Sequence, residues 1–313
     1  MLEVLTPSAL ATLQDAGRRG WQAYGVPVSG PMDAFAQRAA NLLVANPPEA
    51  AALEIGYSSA EFLALDDCLI AVTGPGFSLT VNGHPMRMWT SVYVRKNGRI
   101  RLEKRDSGNW AYLSAHGGIQ TSLTLGSRSS YPPAHLGHAP LAPGDVLTIG
   151  SSRAHLPGLA SRTLKSTIHY SPNPTIHVIP GPQSDYFSLT SFHASTYTIS
   201  PTSDRTGYRL IGPPLERTNN SELISEGMAR GCIQIPADGL PIVMQADCPT
   251  TGGYPKIAAV ISADQPLLAQ VPVGTGQIRF VETTIEQAQI RYREMINELV
   301  AAITQPSIDE YSW

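Results

Sequence analysis

Short β-branched or alternating runs, many of them cut off by Gly or Asn-Gly, recur along most of this chain and constrain its fold more than any other feature. LIAVTG (69–74), SLTVNG (78–83), TSVYVRKNG (90–98), RIRLEKRDSG (99–108) and AYLSAHGG (111–118) form one series. TIHVIPG (175–181), CIQIPADG (232–239), PIVMQAD (241–247), IAAVISAD (257–264) and QIRFVE (277–282) form a second. Runs of this length and pattern, closed by turn residues, predict strands. The 27 glycines and 26 prolines are dispersed among apolar runs, which suits many turns between short strands.

Only two segments carry helical periodicity. In residues 29–46, Ser29 is placed to cap, Pro31 to enter the first turn and Asp33 to favour the positive end. Phe35, Ala39, Leu42 and Leu43 share a face, and Asn46-Pro47-Pro48 stops the run. In residues 284–303, Thr284 and Gln287 have capping-box spacing. Ile285, Ala288, Tyr292, Met295, Leu299 and Ile303 make a stripe, and the tail 305–313 reads as loose. The fold class is therefore mainly β, with a few helices and two β-barrel-like lobes. The division by chain position is 1–165, 175–285 and a helix with tail at 286–313, with the Ser-, Thr-, Pro- and His-rich stretch 151–174 as the connection.

Charged residues are 15% of the chain and the formal net charge is −3, so no global field draws nucleic acid or an acidic membrane. Three cysteines without CxxC spacing argue against a disulfide framework and for a reducing compartment. The N-terminal residues lack a secretory pattern and no apolar run approaches a bilayer span. The expectation is a cytoplasmic protein without membrane or nucleic-acid partners.

Self-contained cofactor chemistry is missing from the sequence. There is no Gly-Lys pair for a P-loop, no GxGxxG, no HExxH, no GxSxG elbow and no Met-Lys pair for biotin attachment. What remains is four polar loops: 17–33, 116–130, 200–214 and 246–256. Each mixes glycines, which admit close backbone approach, with cations, carboxylates or hydroxyls. Arg205, Arg209 and Lys256 are candidate holders of carboxylate or phosphate. Asp247 or Asp204 suits a cation or base role, and Thr250, Thr251, Gly252 and Gly253 have the composition of an anion nest. Ser203, Tyr254, Arg128 and His116 complete the candidate anion and substrate set. Each has a plain alternative: arginines in glycine-rich loops brace carbonyls, His116 suits a strand-end role, and Cys248 lacks a partner histidine.

The same loops carry a family resemblance. GWQAYGVPVSGPMD, LGSRSS, SDRTGYRLIGPPL, SELISEGMARGCIQIPADGLPIVMQAD and TTGGYPKIAAVISAD, in order from about residue 5 to 288, resemble the biotin-dependent carboxyltransferase family. That family includes the C subunit of 5-oxoprolinase, the second subunit of allophanate hydrolase and the antagonist of the KipI kinase inhibitor. The resemblance implies two cyclophilin-like lobes and partner subunits of the B and A type. It implies an ATP-dependent 5-oxoprolinase complex, with ATP and Mg²⁺ used at the level of the complex. The chain departs from the usual pattern at Asp204, where Asn is common, at Thr206, where Met is common, and in a shortened 131–145 loop containing His135.

The leading expectation is one component of an ATP-dependent lactam hydrolase, inactive without partners, that converts 5-oxo-L-proline to L-glutamate. Here Arg205, Arg209 and Lys256 contact anions, Asp247 orients Mg²⁺ or a proton, and the 250–253 backbone donates hydrogen bonds. One alternative is a carboxyltransferase taking carboxyl from carboxybiotin, carried on another chain, to urea or a similar small amide. The other is a regulatory module that sequesters a KipI-type inhibitor without turnover.

Overall fold

The computed structural model describes residues 1–105, 107–151, 154–165, 168–219 and 223–304. The loose tail expected at 305–313 lies outside the described residues, as do Ser221 and Glu222 of the SELISEG motif. The architecture is mainly β with few helices.

By contact the chain groups into two units. The first holds 1–17, 33–168 and 296–313; the second holds 18–32 and 169–295. Grouping by contact therefore places the first polar loop, apart from its end residues Gly17 and Asp33, with the second strand series.

In the first unit a seven-stranded sheet runs in the order Ile119–Gln120, Val146–Ile149, Leu2–Thr6, Ala60–Ala64, Arg99–Lys104, Phe77–Val81, His84–Met86. A five-stranded sheet runs Leu10–Gln14, Ala52–Gly56, Trp110–Ala115, Cys68–Thr73, Ser91–Val94. Both sheets send alternate residues into one core, among them Leu2, Phe62, Ile100, Leu53, Ile70 and Leu113. The helix Ala34–Leu43 packs on the strands Trp110–Ala115 and Cys68–Thr73.

That helix is shorter than the sequence suggested, for a local reason. Ser29 has φ 59°, so the backbone there is left-handed and cannot enter a helix. Asp33 is the cap instead, its side chain accepting from the Ala36 amide at 2.9 Å. The Asp33 amide in turn donates to the Tyr112 hydroxyl at 2.7 Å, and that hydroxyl donates to Glu54 at 2.7 Å. Thr73 Oγ1 donates to the Ala36 carbonyl at 2.7 Å, which fixes the helix start on the sheet.

The second unit is a closed barrel of seven strands: Thr175–Pro180, Lys256–Val260, Cys232–Gln234, Ile242–Met244, Gly207–Ile211, Tyr197–Ile199 and Gln277–Glu282. The first and last of these close it in parallel, with Ile176 opposite Phe280. Stacked Phe192 and Phe280, with ring centroids 4.8 Å apart, fill the interior beside Tyr197. The helix Ile285–Ala301 follows. Gln287 N donates to Thr284 Oγ1 at 3.3 Å, as the capping spacing predicted. Met295 and Leu299 of its stripe are buried, whereas Ile285 is exposed.

Candidate functional site

Three of the four polar loops meet in the second unit. The turn before strand Gly207–Ile211 carries Arg205, and the turn after strand Ile242–Met244 carries Asp247. Their backbones are joined by the Asp247 amide donating to the Arg205 carbonyl at 2.8 Å. Their side chains form a bidentate pair, Nε to Oδ2 at 2.7 Å and Nη2 to Oδ1 at 3.0 Å. Both are buried, at 6% and 5% exposure. Arg205 Nη2 also donates to the Gly30 carbonyl at 2.8 Å, which ties down the first loop. Arg230 adds a second tie: Nη1 donates to Pro31 O at 2.7 Å and Nη2 to Met32 O. The guanidinium fork suits this clamp, because its donors diverge in a plane. Arg205 and Asp247 are thus joined to each other, and Arg205 to loop 18–32.

Lys256 opens the strand Lys256–Val260 and its side chain is nearly covered. Its ammonium contacts Glu226 Oε2 at 2.5 Å and donates to the Gly227 carbonyl at 3.2 Å. The Lys256 amide donates to Gln183 Oε1 at 3.0 Å, and Gln183 Nε2 reaches both Glu226 oxygens at 3.4 Å. The bond and charge from Lys256 hold the Glu226 carboxyl below its ordinary pKa.

Glu226 sits on a short ribbon in which Glu226–Gly227 pairs with Thr251–Gly252. Neither Gly252 nor Gly253 has positive φ. This stretch is therefore extended and lacks the alternating backbone of an anion nest, the conformation its composition suggested. A Cβ at Gly252 would meet Gln234 Nε2 and Met228 Cε, each at 2.6 Å, so the glycine allows the ribbon to lie close to the barrel. Thr250 is half-buried, and Thr251, Gly253 and Tyr254 are exposed.

The remaining candidates of loop 200–214 serve the turn. Asp204 Oδ1 accepts from Thr206 N at 2.8 Å and Gly207 N at 3.2 Å, an Asx arrangement that accommodates the Asp found here. Ser203 Oγ accepts from Arg209 N at 3.0 Å. The Arg209 side chain is exposed, alternating with the buried Tyr208 and Leu210. Burial pushes the Cys248 thiol up to about 11.

His116 and Arg128, from the fourth loop, belong to the first unit. His116 Nδ1 lies 2.6 Å from the Val44 carbonyl at the end of the helix. Arg128 Nε donates to Thr121 O at 3.1 Å and Nη2 to Gln120 Oε1 at 2.9 Å. Asp15, which sequence reasoning missed, organises this loop. Its carboxylate accepts from Ser127 Oγ at 2.6 Å, Arg128 N at 2.6 Å, Ser129 Oγ at 2.7 Å and Gly17 N at 2.9 Å. The hydroxyl-rich LGSRSS run is the donor set for that carboxylate. His135, in the shortened loop, is exposed with φ 53° and ends a short 3-10 turn.

These loops have counterparts in known proteins. The profile of the carboxyltransferase domain, subdomain A and B, matches residues 24–282. The chain belongs to the carboxyltransferase-domain family. Family members described as the C subunit of 5-oxoprolinase are similar along almost the whole chain. The one from Escherichia coli K12 is 35% identical, over 95% of this chain and 97% of its own. The one from Haemophilus influenzae is 32% identical, over 99% of both. Urea amidolyase of Saccharomyces cerevisiae is 30% identical over 92% of this chain, which spans only 17% of that protein. The crystal structure of the K. lactis urea amidolyase matches 98% of this chain and 20% of its own, with a TM-score of 0.87 at 29% identity. Among the described residues no helix is long and apolar enough to cross a membrane.

Proposed function

We propose that this chain is the C-type component of an ATP-dependent 5-oxoprolinase, working in the cytoplasm with B-like and A-like partners to open 5-oxo-L-proline to L-glutamate. The observation that carries this reading is the near full-length likeness to two 5-oxoprolinase components of that type. The urea amidolyase likeness, by contrast, covers a small part of a much longer chain.

The lactam is an unstrained amide, so opening it needs an activated oxygen and stabilisation of developing charge. Lys256 is the residue of this chain best suited to the second task. Its ammonium is held by Glu226, whose side chain is about half exposed, and an incoming anionic group can take Glu226's place. Thr250, Thr251 and Tyr254 flank that position along the ribbon and its continuation, and Arg209 is an exposed cation of the same barrel. Arg205 and Asp247 act as positioning residues that hold loop 18–32.

Asp247 does not fit a Mg²⁺ ligand, because both its oxygens are engaged by Arg205. Among the described residues no group of three or more His, Cys, Asp or Glu side chains is placed to hold a metal ion. In this reading nucleotide and metal are supplied with the partner proteins, and no step of this chain runs through them.

The test is co-expression with the B-like and A-like partners, followed by an assay of ATP-dependent glutamate release from 5-oxo-L-proline. Lys256→Met is expected to lower release by about a hundredfold or more. Undiminished activity in that variant removes Lys256 from the mechanism, and no release by the wild-type complex removes the reading. The K. lactis structural likeness favours a second reading, a carboxyltransferase acting on urea or a similar amide. It predicts product formation that depends on bicarbonate and on a biotin carrier on another chain.

A further inference from the structure

A cavity of about 320 Å³ opens in the first unit between the end of the helix Ala34–Leu43 and the turn His116-Gly117-Gly118. We infer that this cavity binds a small monocarboxylate.

Its frame is built by side chains that lock one another. His116 Nδ1 meets the Val44 carbonyl, and Asn46 Nδ2 donates to Ala115 O at 2.8 Å. The Gly117 amide donates to Asn46 Oδ1 at 2.8 Å. These bonds join the helix end to the turn. Gln120 Nε2 donates to Gly117 O at 2.9 Å, and Gln120 Oε1 accepts from Arg128 Nη2 at 2.9 Å. The Arg128 amide is fixed on Asp15. The guanidinium is therefore preorganised from both ends of its residue.

Charge decides the ligand. Among the described residues Arg128 lines the cavity and no carboxylate does. The partners of its guanidinium are a carbonyl and an amide oxygen, both neutral. Among the described residues Nη1 has no partner. This contrasts with Arg205, whose charge is met by Asp247, and with Arg99, met by Glu61 at 2.8 Å. An uncompensated, preorganised guanidinium in a concave site selects an anion, and a carboxylate matches its planar donors.

The rest of the lining decides how many charges the ligand carries. Ala45, Pro47, Ala50, Ala51 and Ile119 line the cavity beside the polar Asn46, Gln120 and Ser151, and among the described residues Arg128 is its one Arg or Lys, so a second carboxylate would find no guanidinium or ammonium of its own. The volume is at the lower end of small-molecule sites. The ligand class is thus a monocarboxylate with a short, largely uncharged body. The described residues that line the cavity all belong to the first unit, so its binding does not depend on the amide-opening reading.

The experiment is calorimetric titration of the purified full chain with butyrate and with propionate, against butyramide and succinate. Binding of at least one monocarboxylate is expected, with butyramide and succinate weaker by about tenfold or more. Arg128→Gln should remove the binding, and Lys256→Met should leave it intact. Ala50→Leu, which fills the cavity and keeps the arginine, should also remove it; this variant decides the matter if Arg128→Gln does not fold. The inference is overturned if neither monocarboxylate binds up to about 10 mM. It is equally overturned if butyramide or succinate binds as well as they do, or if binding survives in folded Arg128→Gln or in Ala50→Leu.

Discussion

Arg205 grips Asp247 through two parallel bonds, at 2.7 and 3.0 Å, and with the same guanidinium holds the carbonyl of Gly30, 175 residues earlier in the chain. One buried ion pair thereby fixes the turns before and after two neighbouring barrel strands and the loop that precedes the Asp33 cap. Removing either partner leaves the other charge buried and uncompensated. Arg205→Ala and Asp247→Ala are each expected to destabilise the protein by about 3–5 kcal/mol, and the double variant by clearly less than the sum. Urea denaturation measures both. Arg205→Lys should not rescue, because a single ammonium cannot make the bidentate contact and reach Gly30 O as well. Limited proteolysis should find loop 18–32 cut faster in all these variants.

Lys256 behaves differently because its partner is partly in water. Lys256→Met keeps the covered stem and removes only the ammonium, leaving Glu226 free to be hydrated. The expected result is a thermal transition close to that of the wild type, with glutamate release by the reconstituted complex reduced by about a hundredfold or more. Glu226→Gln should retain more activity than Lys256→Met, since the cation remains. A large fall in thermal stability for Lys256→Met would instead make the residue a structural brace.

Much of this was readable in the residues. The alternating run QIRFVE marked the barrel strand Gln277–Glu282 to the residue, because its period is local. The meeting of loops at Arg205 and Asp247 was legible only as a coincidence of charge types. Which charges would pair was not, since Lys256 meets Glu226 from 30 residues away and no local pattern records that contact. Ser29 read as a cap because serine caps helices; its left-handed backbone is set by the tertiary path of loop 18–32. Asp15 escaped notice for a similar reason. Its donors Ser127, Arg128 and Ser129 lie more than a hundred residues away, and only the acid before Ala-Gly together with a distant run of hydroxyls hinted at it.

Cys248 follows Asp247 directly, yet its thiol is not set up to react. Burial is the main cause that lifts it to about 11, with Cys232 nearby adding to the shift. At pH 8 the thiolate is then about one part in a thousand. Iodoacetamide at that pH should leave Cys248 largely unmodified in the native protein and label it fully after denaturation, as read by mass spectrometry of peptides. Rapid native labelling of Cys248 would show that the turn after strand Ile242–Met244 opens readily.

Asp15 makes stability in acid depend on one carboxylate. Burial opposes its charge, but bonds from Ser127, the Arg128 amide, Ser129 and the Gly17 amide outweigh that and hold its pKa below the ordinary 3.8. The unfolded chain therefore takes up a proton at a higher pH than the folded chain does. Asp15 contributes its full stabilisation above the unfolded value, and the contribution is lost as pH falls through the lower, folded value. Asp15→Asn keeps the size but turns one acceptor oxygen into a donor facing other donors. It is expected to cost about 1–3 kcal/mol at neutral pH. In urea denaturation repeated from pH 7 downward, the gap between the two proteins should narrow below about pH 4. A gap that stays constant into acid would place the stabilising role of this residue elsewhere than in its ionised carboxylate.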